Sequence, residues 1–327
     1  MSDYGLLTYA EGNRTYNVGD YVQSLAARQY LPRVDHWVNR ERLARFAGPE
    51  TQIILNGWFT HNVHDWVPSQ SLRPLYTSFH VNESAAPHML TAPAIEHLQR
   101  HAPIGCRDRF TSDLLRSHGI DAHFSGCLTL TLDSYRVPDS ERGNDIFIVD
   151  PLYSYPSVAR LTESARLFVH RTMKGEAFGL HRRGQHLRAL IEPELLATAK
   201  VRTQVLPAGR ETDAQKFARA EALLHDYARA RLVVTSRIHC ALPCLAMGTP
   251  VIFLNAFDDF VDSCRFDGLL DLFARVDIDS KTGAFEANFP LAGKIGPDTM
   301  VTNPDRYRAL VEPMKERCRA FVAVEGA

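Results

Sequence analysis

Three side chains with chemical potential stand together between two apolar segments in the last third of the chain. Ser236, Arg237 and His239 follow the run RLVVT, residues 231–235, and precede CALPCLAMG, which ends at Gly248. The pattern predicts a strand followed by a helix, with Ser236 as N-cap and Gly248 just past the helix. Free backbone N–H groups and the helix dipole favour an anion at such a start. We therefore expect an anion site in which an arginine fork binds carboxylate or phosphate and an imidazole carries a proton.

A purely structural interpretation of the same residues is also open. Arg237 could pair with a surface carboxylate, and His239 could fill a gap in the core. Pro243 lies inside the predicted helix, so the helix either kinks or begins later.

The chain around these residues alternates between apolar strands and amphipathic helices. The segments predicted as strands include YGLLTYA, TQIILNGWF, RPLYTSFHV, DIFIVDPLY, KVRTQVLP, RLVVT and TPVIFLN, and the short apolar segments IDAHFSG and CLTLTL complete the set. Such alternation is typical of an α/β protein with mostly parallel sheets. We expect two doubly wound Rossmann-like domains that face a cleft, with the carboxyl ends of their strands lining it.

A polar segment divides the pattern into two halves. Residues 133–145, DSYRVPDSERGND, make the best linker candidate. The expected organisation is an N-terminal Rossmann-like domain over 1–138 on the acceptor side, a C-terminal one over 139–303, and a helix within 304–327. The apolar face of that last helix could pack back onto the first domain.

Bulk properties narrow the class of protein. The 327 residues carry a formal net charge of -1, which gives no general electrostatic reason for nucleic acid or an acidic membrane as partner. The six cysteines form no C-x-x-C pair, so a zinc ribbon or thioredoxin motif is excluded and a reducing compartment is expected. The N-terminal residues do not read as a signal peptide, and no apolar run is long enough to span a membrane. These properties predict a cytoplasmic protein. No metal is expected, because HNVHD at 61–65 lacks a convincing third ligand nearby.

Four segments in chain order resemble the polysaccharide pyruvyl transferase family. VVTSRIHCALPCLAMGTPVIFL resembles the family's strand, S-R-L-H, helix and G-x-P-strand segment, with Ile238 in place of the more usual leucine. NVGDYVQSLAARQYLP, residues 17–32, is similar to its N-x-G-D helix opening, and IGCRDRFTSDLLRSHGI, residues 104–120, to its R-D segment. IILNGWF takes the place of a strand that ends in glycines, with Gly57 alone.

The resemblance implies a GT-B-like fold and a particular reaction. Members transfer pyruvate from phosphoenolpyruvate to a sugar, usually as a cyclic ketal across two hydroxyls. Phosphoenolpyruvate is then the donor substrate, and a saccharide, free or lipid-linked, is the acceptor. A lipid-linked acceptor would place the enzyme peripherally at the inner face of the membrane. His239 would be the catalytic proton donor, and Arg237, Arg107, Ser236 and His80 would bind phosphoenolpyruvate.

Further polar residues follow other strands. His80 ends the strand RPLYTSFH and could touch the donor or the acceptor, although a histidine there is often structural. Asn17, Asp20 and Glu83 are candidates for acceptor binding, with Glu83 as a possible base. Asp20 in a first helical turn would also simply complement the dipole, and Arg107–Asp108 could be a corner that only orders its loop.

Two other functions remain open at this point. The first is a GT-B glycosyltransferase that uses a nucleotide sugar, although the second half has no pair of glutamates eight positions apart, which retaining members often carry. The second is a carbohydrate-binding protein without activity, which would tolerate the loss of Arg237 and His239. A dinucleotide enzyme is disfavoured because no G-x-G-x-x-G follows the first strand.

Overall fold

The first half of the chain builds one parallel sheet. A computed structural model describes residues 2–9, 15–156, 176–257 and 263–323. Six strands pair in the order β3-β1-β4-β5-β6-β7, and all pairs are parallel. The strands are β1 (Asp3–Thr8), β3 (His36–Asn39), β4 (Thr51–Phe59), β5 (Leu72–Val81), β6 (Ile104–Cys106) and β7 (Ala122–Phe124). The helices of this half are α1 (Val18–Arg28), α2 (Ala86–Met89), α3 (Ala92–Arg100) and α4 (Arg109–Ser117).

The second half builds another six-stranded sheet of the same kind. Its order is β14-β13-β12-β11-β8-β9; β13 and β14 pair antiparallel and the other neighbours pair parallel. The strands are β8 (Ile146–Val149), β9 (Lys200–Arg202), β11 (Leu232–Thr235), β12 (Val251–Asn255), β13 (Ala274–Ile278) and β14 (Phe285–Ala287). The helices are α5 (Glu176–Leu190), α6 (Pro193–Thr198), α7 (Asp213–Ala228), α8 (Ile238–Met247) and α9 (Arg308–Ala323). These two sheets confirm the prediction of an α/β protein with Rossmann-like parallel sheets.

The predicted strand KVRTQVLP is wrong as a single element. It divides into β9 and β10 (Val205–Pro207), and β10 pairs antiparallel with β2 (Thr15–Asn17) in a two-stranded sheet. The division falls at Gln204, whose backbone N–H donates to Asp150 Oδ2 at 2.9 Å and whose carbonyl accepts from Val18 N at 2.7 Å. The chain therefore leaves the second sheet to pair with the first half. CLTLTL is likewise no strand, since Leu128–Thr131 form a 3₁₀ helix.

Several contacts hold the two halves together beside α1. The hydroxyl of Tyr21 donates to Asp213 Oδ1 at 2.8 Å, and Arg28 pairs with Glu221 at 3.2 Å. Apolar side chains of both halves form one continuous buried cluster, which runs from Leu6 to Phe253 and beyond. Most of the stability of such an arrangement comes from this apolar burial rather than from the exposed ion pair.

The polar segment 133–145 and the C-terminal helix both make specific contacts. Arg142 donates to the carbonyls of Ala228 and Met247 at 3.0 and 2.9 Å, which fastens the segment to the second half. In α9, Met314 Sδ accepts from Ser78 Oγ at 3.6 Å, so this helix lies against β5 of the first sheet. No helix within the described ranges combines the length and hydropathy that crossing a bilayer requires.

Candidate active site

The start of α8 differs in one respect from the sequence prediction. Arg237, not Ser236, is the N-cap residue, and its side chain makes no capping hydrogen bond. Ser236 Oγ instead donates to Leu254 O at 2.8 Å and accepts from Leu152 N at 2.9 Å. Both bonds are buried, so this hydroxyl ties β12 to the segment after β8 and positions the residue beside it.

The helix runs through Pro243 without ending, and the proline leaves a mark on His239. A residue at 243 would ordinarily donate its backbone N–H to the carbonyl of residue 239, but proline has no N–H. Gln204 Nε2 donates to that carbonyl instead, at 3.2 Å. The helix ends at Gly248, whose φ of 73° is left-handed, as the sequence predicts for a terminating glycine.

Arg237 is held by a carboxylate and an aromatic ring. Its Nε donates to Asp150 Oδ2 at 2.8 Å, and its guanidinium carbon lies 3.3 Å from the ring centroid of Tyr153. Its Nη2 is buried and has no hydrogen-bond partner among the described residues. One edge of the fork is therefore fixed by the protein, while another nitrogen is free to bind a ligand.

His239 lies in the first turn of α8 and is 8% exposed. Burial lowers its pKa well below the usual range, and the charges of Arg107, Arg265, Arg237 and Arg40 lower it further. Its Nε2 is also buried without a partner in the described part of the chain. Four arginine charges thus act on one neutral imidazole, an arrangement that an anion would relieve.

Arg107 reaches the same region from the first sheet. It follows β6, and its backbone N–H donates to Phe79 O at 2.9 Å. The side chain is 2% exposed, and its Nε, which lies 3.8 Å from Asp108 Oδ2, makes no hydrogen bond within the residues described. A buried guanidinium N–H without a partner is costly, which points to a ligand that completes it.

His80, at the end of β5, is fully buried and bound to a carboxylate. Its Nδ1 lies 2.6 Å from Asp108 Oδ2 and 3.1 Å from Thr111 Oγ1. Burial lowers its pKa to about 4, although the negative charge of Asp108 opposes the shift; Arg107 and Arg265 contribute to the lowering. Its Nε2, like that of His239, lacks a partner in the described ranges.

The opening of α1 places Asn17 and Asp20 near this region. Asn17 is the N-cap and accepts from Gly19 N at 3.0 Å. Burial raises the pKa of Asp20, while the charges of Arg40, His61 and Arg237 oppose the rise. Because Arg237 acts on Asp20, the first helix of one half and the N-cap residue of α8 in the other share one electrostatic environment.

Two further segments were considered in the sequence, Glu83 for acceptor binding and HNVHD for metal binding. Glu83 is exposed, and its backbone hydrogen-bonds the thiol of Cys264 in the other half. His61 packs edge-on against Trp58 with ring centroids 4.4 Å apart. The described ranges contain no cluster of three or more metal-binding side chains.

Four residues that sequence reasoning missed complete the surroundings: Arg40, Asp150, Gln204 and Arg265. Arg40 lies over the rings of Tyr9 and Trp58, at 4.7 and 5.1 Å from their centroids. Asp150 directly follows β8, so its place at the carboxyl end of a strand was a usable signal. Arg265 and Gln204 stand in segments whose sequence carries no motif.

Comparison of the sequence with family models places the chain in a family. No curated protein matches the chain. A similar solved structure is the crystal structure of an uncharacterised protein from Klebsiella pneumoniae, with 11% identity, a TM-score of 0.45, and coverage of 82% of this chain and 89% of that one. The model of the polysaccharide pyruvyl transferase family matches residues 89–256, more than half of the chain, a range that contains Arg107, Arg237 and His239. The chain therefore belongs to the polysaccharide pyruvyl transferase family.

Proposed function

We propose that this protein transfers pyruvate from phosphoenolpyruvate to two hydroxyls of a saccharide and forms a cyclic ketal. The observation that carries the proposal is a set of buried nitrogens without partners in the described part of the chain: His80 Nε2, Arg107 Nε, Arg237 Nη2 and His239 Nε2. Phosphoenolpyruvate is small and bears both a carboxylate and a phosphate. It therefore matches a site in which two arginines offer unpartnered cationic donors together with two unpartnered imidazole nitrogens.

Arg107 and Arg237 bind the anionic groups in this proposal. They come from different sheets, and both act electrostatically on His239. Bound phosphoenolpyruvate supplies the hydrogen-bond partners that these buried groups lack. The same bonds fix the orientation of phosphoenolpyruvate. Ser236 contributes indirectly, because its hydroxyl is already used by Leu152 and Leu254.

His239 is the proton donor. Its lowered pKa leaves it neutral in the free protein, but the negative charges of phosphoenolpyruvate oppose the four arginines and raise that pKa. The imidazolium then protonates the methylene carbon, and positive charge develops at the central carbon. A sugar hydroxyl bonds to that carbon, phosphate leaves, and the second hydroxyl closes the ketal.

The acceptor lies on the side of the first sheet in this proposal. Asn17 and Asp20 at the opening of α1, with Glu83 after β5, are the candidates for contact with its hydroxyls. The domains 1–138 and 139–303, with the helix in 304–327 against the first, form a GT-B-like pair, consistent with two parallel sheets that share contacts at α1 and α8. Because the donor is phosphoenolpyruvate, we expect the reaction to take place in the cytoplasm. The acceptor is a precursor of a cell-surface glycan, either free or lipid-linked. The reaction needs no cofactor.

The direct test incubates the full chain with phosphoenolpyruvate and a panel of saccharides. We expect release of phosphate together with an acid-labile adduct whose methyl signal in NMR identifies a ketal rather than an enolpyruvyl ether. His239→Gln should abolish release, while His118→Gln, an exposed histidine after α4, should leave it unchanged.

Thermal shift separates this function from the nucleotide-sugar alternative. A ligand at 100 times its Kd stabilises the folded state by about 2.7 kcal/mol. Phosphoenolpyruvate should raise the melting temperature of the wild type and fail to do so in Arg237→Ala. Stabilisation by UDP, GDP or CMP sugars with no response to phosphoenolpyruvate would contradict the proposal and favour a glycosyltransferase.

A further inference from the structure

His80 and Asp108 form a buried pair whose hydrogen-bond directions are fixed by their neighbours. Thr111 donates both its backbone N–H and its hydroxyl to Asp108 Oδ1, at 2.8 and 2.7 Å. The other oxygen, Oδ2, lies 2.6 Å from His80 Nδ1. Burial alone would raise the pKa of Asp108, but His80, Arg107 and the Thr111 hydroxyl together hold it below the usual value. Asp108 is therefore an anion that can only accept.

The position of the proton on His80 follows from these partners. The second neighbour of Nδ1 is Thr111 Oγ1 at 3.1 Å, and that hydroxyl already donates its hydrogen bond to Asp108 Oδ1. Both neighbours of Nδ1 are thus acceptors, so Nδ1 carries the N–H. In a neutral imidazole the other nitrogen, Nε2, then presents a lone pair. That nitrogen is the one without a partner in the described ranges.

The surroundings connect this lone pair with the proposed donor site. Arg107 and Arg265 lower the pKa of His80 and also that of His239. The two imidazoles therefore lie in the field of the same two arginines, although they come from different sheets. His80 has a carboxylate behind it, whereas the largest charges that act on His239 are all arginines. A carboxylate behind an imidazole stabilises the imidazolium that forms when the ring takes up a proton.

We propose that His80 is the base that takes the proton of the attacking acceptor hydroxyl, and that Asp108 is the positioning residue that keeps its Nε2 unprotonated. This inference rests on the proposed function and assigns two of its three proton transfers to two different histidines. His239 gives a proton to the methylene carbon, and His80 takes one from oxygen. His80 Nε2 is buried without a partner in the described ranges, as are Arg107 Nε, Arg237 Nη2 and His239 Nε2, so the proposal requires one site to admit both phosphoenolpyruvate and the acceptor hydroxyl, the latter directly or through one water.

With these roles, every proton and every electron pair in the reaction is accounted for. The methylene carbon gains a proton from His239 and becomes a methyl group. The first hydroxyl oxygen bonds to the central carbon as its proton passes to His80 Nε2. The bond from that carbon to the phosphate oxygen breaks, and its electron pair leaves with the phosphate. The second hydroxyl oxygen then bonds to the carbon, and its proton leaves on the phosphate. After product release, His80 loses its proton to solvent and His239 regains one.

The test is Asp108→Asn in the full-length protein. Asparagine keeps an oxygen for the Thr111 N–H and is an equally good N-cap, so α4 should remain capped. Its amide can, however, donate to His80 Nδ1, which moves the ring proton to Nε2 and removes the lone pair. We expect phosphate release to fall by on the order of 10²–10⁴, the usual contribution of a general base, while the thermal shift with phosphoenolpyruvate is retained.

Two further readouts separate a positioning role from a merely structural one. Nitrogen-15 NMR of the ligand-free protein should show the His80 proton on Nδ1 in the wild type and on Nε2 in the variant. The groups that face His80 are Asp108, Thr111, Arg107 and Arg265. Loss of the Asp108 charge lowers the pKa of His80, so the acid limb of the rate profile attributable to this base should move to lower pH.

Matched variants make each outcome decisive. Asp113→Asn changes an exposed carboxylate on the same helix, paired only with Arg116 in the described structure, and should alter neither turnover nor tautomer. His80→Gln should repeat the loss of turnover if Asp108→Asn does not fold. A wild type with its proton on Nε2, or full turnover in Asp108→Asn, overturns the base role alone. A wild type that releases no phosphate with any saccharide overturns the proposed function and the base role together.

Discussion

Gly19 and His239, which belong to the two halves of the molecule, lie so close that a side chain at position 19 would crowd the histidine. A Cβ on Gly19 would lie 3.2 Å from the Cβ of His239, 3.1 Å from Gln204 Oε1 and 3.1 Å from Asn17 Oδ1. The N-terminus of α1 therefore sets how closely the first sheet approaches the start of α8. A glycine is needed there for close approach rather than for a left-handed backbone, since no positive φ is recorded at this position.

Gly19→Ala should displace His239 with little cost to folding. The added methyl forces neighbours to give by a few tenths of an ångström, but alanine also favours the helix by about 0.5–1 kcal/mol over glycine. We expect the free energy of unfolding to change by less than about 1 kcal/mol and phosphate release to fall at least about tenfold, since small misplacement of a catalytic group is costly. Denaturant unfolding and a phosphate assay measure the two effects.

Gly5→Ala is the matched control for that substitution. Its Cβ would meet Thr51 and Val38 at 3.1 Å, an equally tight fit inside β1 and away from His239. It should lower stability without lowering turnover per folded molecule. Equal turnover in Gly19→Ala and Gly5→Ala would contradict the importance of the Gly19–His239 contact.

Arg237→Lys should weaken phosphoenolpyruvate binding although the charge is kept. A lysine has no planar fork, so it cannot contact Asp150 with one nitrogen and a ligand with another while lying over Tyr153. We expect the KM for phosphoenolpyruvate to rise about tenfold or more, equivalent to about 1.4 kcal/mol. Steady-state kinetics give the value. The control is Arg275→Lys. Arg275 lies in β13 and pairs with Asp271 and Asp277, and its replacement should leave this KM unchanged.

Binding of phosphoenolpyruvate should be coupled to proton uptake at His239. Burial and four arginines keep the pKa of the free imidazole well below its usual range, so it is neutral at pH 7. The bound anion raises that pKa, and the ring takes up as much as one proton. Calorimetry in buffers of different ionisation enthalpy measures this uptake. The proton uptake should be smaller in His239→Gln than in the wild type. Identical uptake in both proteins would exclude His239 as the group that takes up the proton.

The buried His80 should make folding sensitive to mild acid. Its pKa is about 4 in the folded protein, against an ordinary value of 6.5, so between these values the unfolded chain binds the extra proton. The contribution of His80 to the free energy of unfolding is therefore fully present above pH 6.5 and is lost as the pH falls toward 4. The loss amounts to about 1.4 kcal/mol per pH unit, or roughly 3 kcal/mol in all for this group.

Denaturant unfolding at a series of pH values measures that dependence. Between pH 6.5 and pH 4, the free energy of unfolding should fall less steeply with pH in His80→Gln than in the wild type. The difference in slope should correspond to about one bound proton. Other buried histidines contribute to the slope of both proteins, so the difference between the two is the relevant quantity. Parallel slopes would show that His80 is not titrated by folding.

The sequence by itself determined the fold class, the position of α8 and the family. The strand Thr51–Phe59 was predicted with the observed bounds, because a short run rich in apolar and aromatic residues is typical of a parallel strand that is buried on both faces. Gly248 as the terminator of α8 was equally readable, because a left-handed residue there favours glycine. Local rules of this kind depend only on neighbours in the chain.

Only the tertiary structure decided which groups act together. The pairing of His80 with Asp108 joins residues 28 positions apart, and the contact of Gly19 with His239 joins the two halves of the chain. The strand KVRTQVLP was mistaken because nothing in its letters shows that Val205 would pair with Asn17 instead of continuing beside β8. Pairing partners, burial and the field of Arg107 and Arg265 at two histidines are properties of distance in space. Those distances are set by how the sheets pack, which no local pattern in the sequence records.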